Sequence, residues 1–127
     1  MFRDFHQRSA VIRALLHSLL LDHLWSEHGP TNAARAFLRA ESAGLSPGQT
    51  TMLRVALDLW DEGGRAELSH VVAHFDARRL ELLGSLLIAF ASGSIGVDYW
   101  LRKYLPMGAR VRPRLRIVAD RVRKEET

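Results

Sequence analysis

Ser46-Pro47-Gly48-Gln49-Thr50-Thr51-Met52-Leu53-Arg54-Val55-Ala56-Leu57-Asp58-Leu59-Trp60 is the stretch whose reading decides the fold. Ser46, with Pro47 at the first helical position and Gln49 three residues on, has the form of a capping box. There each side chain bonds the other's backbone N–H, and the N–H that proline lacks is one no helix would use. From this start Met52, Leu53, Val55, Ala56, Leu57, Leu59 and Trp60 leave only Arg54, Asp58 and Asp61 as a polar stripe. A helix with so wide an apolar surface is covered on most sides by other elements.

The neighbours are helices as well. Structure-breaking residues recur at Gly29-Pro30, Gly44 to Gly48, Gly63-Gly64, Gly93 to Gly96 and Pro106 to Gly108, with helix-length segments between them. The first, about Asp4 to Glu27, sets Val11, Ile12, Leu15, Leu16 and Leu19 on one stripe. Leu20, Leu21, Leu24 and Trp25 lie half a turn away, which predicts a central helix that bends or changes neighbours. A second helix, Ala33 to Ala43, has Thr31 or Asn32 as its cap and Gly44 as its left-handed stop. A fourth, Ala66 to Phe75, is expected to bury Leu68, Val71, Val72 and Phe75 and to turn Glu67, His70 and His74 outward. Asp76 caps a fifth that ends at Gly93, and Ser94 is the expected cap of a sixth carrying Val97, Tyr99, Trp100, Leu101 and Tyr104. No segment before residue 109 alternates as a strand does. The expected fold class is all-α: a compact bundle of five or six helices over residues 1–105, followed by a basic C-terminal arm over 106–127.

Composition narrows the function classes. A chain of 127 residues can bury a core without covalent staples. It has no cysteine, which excludes disulfides, thiolate metal sites and thiol nucleophiles and fits a cytoplasmic setting. No signal-peptide pattern opens it, and its apolar runs read as shorter than the ~20 residues of a membrane span, so no membrane partner is expected.

Charge is segregated. From Arg102 onward there are nine Lys/Arg against three Asp/Glu, whereas residues 1–101 hold nine against eleven. Sixteen arginines against two lysines invites phosphate recognition by guanidinium forks, but base composition in a gene gives the same skew, so only the positions carry information. Those positions are regular. Arg110, Arg112, Arg114 and Arg116 alternate with Val111, Pro113, Leu115 and Ile117. Extended, the four arginines share one side. As a short helix begun at Pro113, the segment stacks Leu115, Val118, Ala119 and Val122 and pairs Asp120 with Lys124 and Arg121 with Glu125. Arg110, Arg112, Arg114, Arg116, Arg121, Arg123 and Lys124 are therefore the candidate nucleic-acid contacts, charge-driven and without sequence specificity.

Other constellations point less far. Ala40 to Leu53 is loosely similar to a helix-turn-helix, with Gln49, Thr50 and Arg54 as a small polar reading face. However, Thr50 stands where that motif has a buried aliphatic residue. Glu67, His70 and His74 share one helix face at a two-histidine metal spacing, and a solvated polar face is the expectation there. Asp58, Asp61 and Glu62 read as the exposed stripe and end of the third helix. No catalytic residue, metal or cofactor is assigned. The expected function is non-enzymatic: nucleic-acid binding through the arm. The alternative is a helical protein-interaction or assembly subunit, a homodimer or an adaptor, whose arm meets an acidic protein surface.

Overall fold

The computed structural model describes residues 2–40, 44–61 and 63–105, and these are mostly helical. Six α-helices follow in order: α1 (Phe5–His17), α2 (Asn32–Ala40), α3 (Pro47–Asp61), α4 (Leu68–His74), α5 (Ala77–Ala89) and α6 (Gly93–Tyr104). Two short 3-10 turns, Asp22–Leu24 and Phe90–Ser92, and a hairpin of β1 (Trp25–Ser26) with β2 (Gly29–Pro30) connect them. The expected all-α character is present. The arm, with every arginine assigned to it from Arg110 onward, lies outside the described residues.

α1 lies at the centre, packed against α3 on one side and α6 on the other. Val11, Ile12, Leu15 and Leu16 are fully buried, as are Met52, Leu53 and Ala56 of α3 and Val97 of α6. α3 starts as its sequence requires. The Gln49 N–H donates to Ser46 Oγ at 3.1 Å and the Ser46 N–H to Gln49 Oε1 at 3.0 Å, closing the capping box. Gln49 Nε2 also reaches the Leu19 carbonyl, which ties this corner to the end of α1. Thr31 caps α2 by accepting the Ala34 N–H, and Gly44 takes φ +87° beyond it.

The long first helix is shorter than its leucine pattern implies. It stops because Leu20 takes the left-handed conformation at φ +62°. The Leu21 N–H then bonds the Leu16 carbonyl at 2.8 Å and the Leu20 N–H bonds that of His17 at 3.0 Å, the paired closure that glycine usually provides at a helix end. The half-turn shift in the apolar stripe is thus a chain reversal. Leu21, Leu24 and Trp25 fold back into the core while Leu20 stays 75% exposed. The hairpin that follows, unforeseen from the sequence, seats Gly29 so close to Trp60 that a Cβ there would meet the indole at 2.8 Å. Trp25 and Phe5 meet the same ring edge-on, at centroid distances of 5.6 and 4.8 Å.

α4 also departs from expectation. Val71 and Phe75 are buried, but Leu68 and Val72 are 77% and 64% exposed. The entry to the helix is pinned by Asp58, whose carboxylate accepts the backbone N–H groups of Gly64, Arg65 and Ala66 at 2.8–2.9 Å. That anchor fixes how α4 is rotated against α3. Asp58 is therefore a loop anchor and not simply part of a solvated stripe. A side chain at Gly64 would overlap the Arg54 backbone.

Asp76 caps α5 as expected, accepting the Arg79 N–H at 3.0 Å. By composition, Ala77–Tyr104 contains an 18-residue window of mean hydropathy 1.8, so the expectation that apolar runs fall short of membrane-span length does not hold. The chain does not use that length as one helix. Trp100 Nε1 donates to Ser85 Oγ at 3.0 Å across fifteen residues, which a continuous helix would separate by about 22 Å. Gly93 at φ +71° turns the chain, and α6 returns antiparallel along α5. Ser94 is not the cap. α6 starts at Gly93 after Ser92, which makes no side-chain capping bond. Gly96 lies against the Ala89 carbonyl, where a Cβ would overlap it.

A polar clasp holds the returning helix to α1. Gln7, 2% exposed, donates from Nε2 to the Ser94 carbonyl and to Asp98 Oδ1, both at 3.0 Å, and its Oε1 accepts the Arg3 N–H at 2.6 Å. Arg3 Nη1 meets the other Asp98 oxygen at 2.7 Å. Hydrogen bonds from Gln7 and Arg3 hold the Asp98 carboxyl below its ordinary range.

Two consequences are measurable. Leu20→Gly relieves a left-handed side-chain clash of about 1–2 kcal/mol while losing little buried surface, offset in part by glycine's unfolded-state entropy. The expected net gain is about 0.5–1 kcal/mol, read as a higher urea midpoint, and a lower midpoint would show that the leucine packs. For the clasp, a depressed carboxyl supplies stability above its unfolded pKa and loses it as pH falls through the folded one. The urea midpoint is expected to fall below about pH 4, and to fall less in Asp98→Asn. Equal acid losses in the two proteins would place the effect in other carboxylates, such as Asp4, which caps α1 by accepting the Gln7 N–H, and Asp76.

Candidate functional site

The reversal at Gly93 brings together residues that are far apart in sequence. The end of α1 (Ala14, His17, Ser18), the start of α5 (Arg78, Arg79, Glu81, Leu82) and the end of α6 (Lys103, Tyr104) line an open groove of about 520 Å³. Its polar side chains divide into those that hold the fold and those that face outward. Arg79 Nη1 bonds Asp76 at 3.2 Å and its Nη2 donates to the Ser18 carbonyl, so this guanidinium fastens α5 to the end of α1. Its Nε is buried without a hydrogen-bond partner. His17 Nδ1 lies 3.1 Å from Asp22. Arg78 and Lys103 are exposed at the rim, with Glu81 as the one acidic lining residue.

The groove is thus modestly cationic and directly precedes residue 106, where the arginine-rich segment begins. Its cations had only a partial sequence signal. Lys103 belongs to the basic run from Arg102, whereas the adjacent Arg78-Arg79 pair joins it only through the chain reversal. Each assigned nucleic-acid contact, Arg110, Arg112, Arg114, Arg116, Arg121, Arg123 and Lys124, lies outside the described residues.

The other sequence candidates resolve into structural roles. Gln49 is spent on the capping box and on Leu19, and Arg54 Nη1 donates to the Gly64 carbonyl at 3.2 Å. Two of the three polar residues of the helix-turn-helix likeness are therefore engaged within the fold. Asp61 pairs with Arg35 at 2.8 Å and accepts the Gly63 N–H, while Glu62 lies outside the described residues.

The histidines of α4 come closer to a site. His70 and His74 stack at 5.3 Å, His74 Nδ1 bonds the buried Thr51 hydroxyl at 3.0 Å, and Glu67 stands 4.0 Å from His70. His74 is exposed, as expected of an outward face, and its ring also reaches back to α3 through Thr51. With Leu45, Pro47, Thr50 and Arg54 the pair lines a shallow pocket of about 340 Å³. Among the described residues no group of three or more His, Cys, Asp or Glu is placed to hold a metal ion.

No protein-family model, no curated protein and no solved structure matches the chain.

Proposed function

We propose that this chain is a small non-enzymatic protein whose helical body presents an arginine-rich C-terminal segment to the phosphates of nucleic acid, without sequence preference. The observation that carries the reading is the segregation of charge, nine Lys/Arg against three Asp/Glu from Arg102 onward on a body that is otherwise slightly acidic. The groove at the base of α5 and α6 supports it from the described side, because Arg78 and Lys103 put two exposed cations on the body. Phosphate contacts of this kind fix affinity and leave base identity unread.

A second reading, an assembly subunit whose arm meets an acidic protein surface, is favoured by the apolar residues that the outer helices leave uncovered. Leu87, Ile88, Ile95 and Tyr99 are 57–75% exposed. Single exposed leucines are ordinary, but several large apolar residues exposed on two neighbouring helices favour a contact surface.

The first reading is tested with random duplex DNA at several salt concentrations. Four arginine–phosphate contacts correspond to a log–log salt slope of about −3.6. Truncation at Met107 is expected to abolish most of the binding, and Arg78→Ala with Lys103→Ala in the full chain to lower the slope by up to about 1.8. Unchanged affinity on truncation would remove the basis of the nucleic-acid reading. Binding only to acidic proteins would favour the second.

A further inference from the structure

We propose that the outer face of α5 is a self-complementary seam that pairs antiparallel with the same face of a second copy of the chain. The proposal rests on the assembly reading and names its partner and its surface. Leu82 and Leu86, 7% and 0% exposed, point α5 into the core. At 3.6 residues per turn Leu80, Gly84 and Leu87 fall on the opposite side, and Ala91, in the 3-10 turn that continues α5, follows them there; the spacing of four, three and four residues is that of a helix–helix seam. None of them is charged, and residues 82–97 contain no charged side chain at all.

Gly84 is the informative residue. The chain's other described glycines include Gly29, Gly44 and Gly93, which take positive φ, and Gly64 and Gly96, where a Cβ would overlap backbone. Gly84 has neither reason, since a Cβ built on it meets nothing within 4 Å. Inside a helix, glycine in place of alanine costs about 1 kcal/mol. Nothing among the described residues offsets that cost, and a close approach to that face does.

The second copy is favoured over other occupants by the order of large and small residues. In an antiparallel pair with its two-fold axis between Ser85 and Leu86, Leu80 of one copy faces Ala91 of the other and Gly84 faces Leu87. A large side chain meets a small one at all four levels. The same pairing sets Arg78, Arg79 and Glu81 opposite the uncharged residues 90–93. A parallel pair would instead place leucine on leucine, glycine on glycine and arginine on arginine. Ile88, with Ile95 and Tyr99 on the adjoining face of α6, would flank the seam. A bilayer makes no use of this alternation, and the uncharged part of α5 rises only about 12 Å before the turn, against a hydrocarbon core of about 30 Å.

The test is the oligomeric state of the full chain by sedimentation across a concentration series, with circular dichroism on dilute samples. The wild type is expected to dimerise. Leu87→Glu and Gly84→Leu, at exposed or open positions, are expected to keep the helical signal and to weaken the dimer at least about tenfold, or 1.4 kcal/mol. Combining Gly84→Leu with Leu87→Gly restores large against small and is expected to recover the dimer, which a merely destabilising change would not do. A dimer that survives both single variants would overturn this seam while leaving the assembly reading in place. A wild type that is monomeric throughout would overturn the seam together with the homodimer form of the assembly reading. Binding of a monomeric wild type to neutral or anionic phospholipid vesicles, lost in Leu87→Glu, would overturn the seam in favour of a lipid surface.

Discussion

The reversal at Gly93 is the constraint on which both the core and the surface depend. Residues 82–97 carry no charge, and as a continuous helix they would project an apolar rod that the body could not cover. Glycine at φ +71° lets the chain double back, and Gly96 lets the two helices approach until backbone meets backbone. Only then do Val97 and Trp100 reach the core and Arg78 come near Lys103. The same turn leaves the second face of α5 without cover among the described residues.

Polar groups then fix how the helices sit. Asp58 gathers three backbone N–H groups and so orients α4, and Arg79 ties the start of α5 to the carbonyl left open at the end of α1. Gln7 is the most constrained of them, because its amide is buried and satisfied from two helices at once. Sliding α6 along α1 by one turn, about 5.4 Å, would strand that amide among apolar side chains. Apolar packing brings the two helices together, and the amide selects one alignment.

Local chemistry was legible in the sequence, and tertiary closure was not. The capping box of Ser46 and Gln49, the Asp76 and Thr31 caps and the left-handed Gly44 are each written in adjacent residues, and each is present. The end of α1 was hidden because a leucine occupies the left-handed position where a glycine would have announced it. Leu68 and Val72 were misplaced because periodicity gives the spacing on α4 but not its rotation, which Asp58 sets from another helix. Of the candidate site, the charge run was visible as a run, and the groove behind it was not, since Arg78 and Lys103 are neighbours only after the turn. The large-and-small order on α5 was present in the letters throughout. It acquires meaning only once Leu82 and Leu86 show which side faces inward.

The shallow attachment of α5 divides the body mechanically. α1 buries seven residues and α3 six, whereas α5 buries only Leu82 and Leu86. A free-energy gradient follows, with the α1–α3 pair opening only on global unfolding and α5 able to detach in a smaller event. Its amides should therefore exchange with solvent ahead of those in α1, and any contact that covers its outer face would raise protection there first. The helix that presents the uncovered surface is thus also one whose order depends on what covers it.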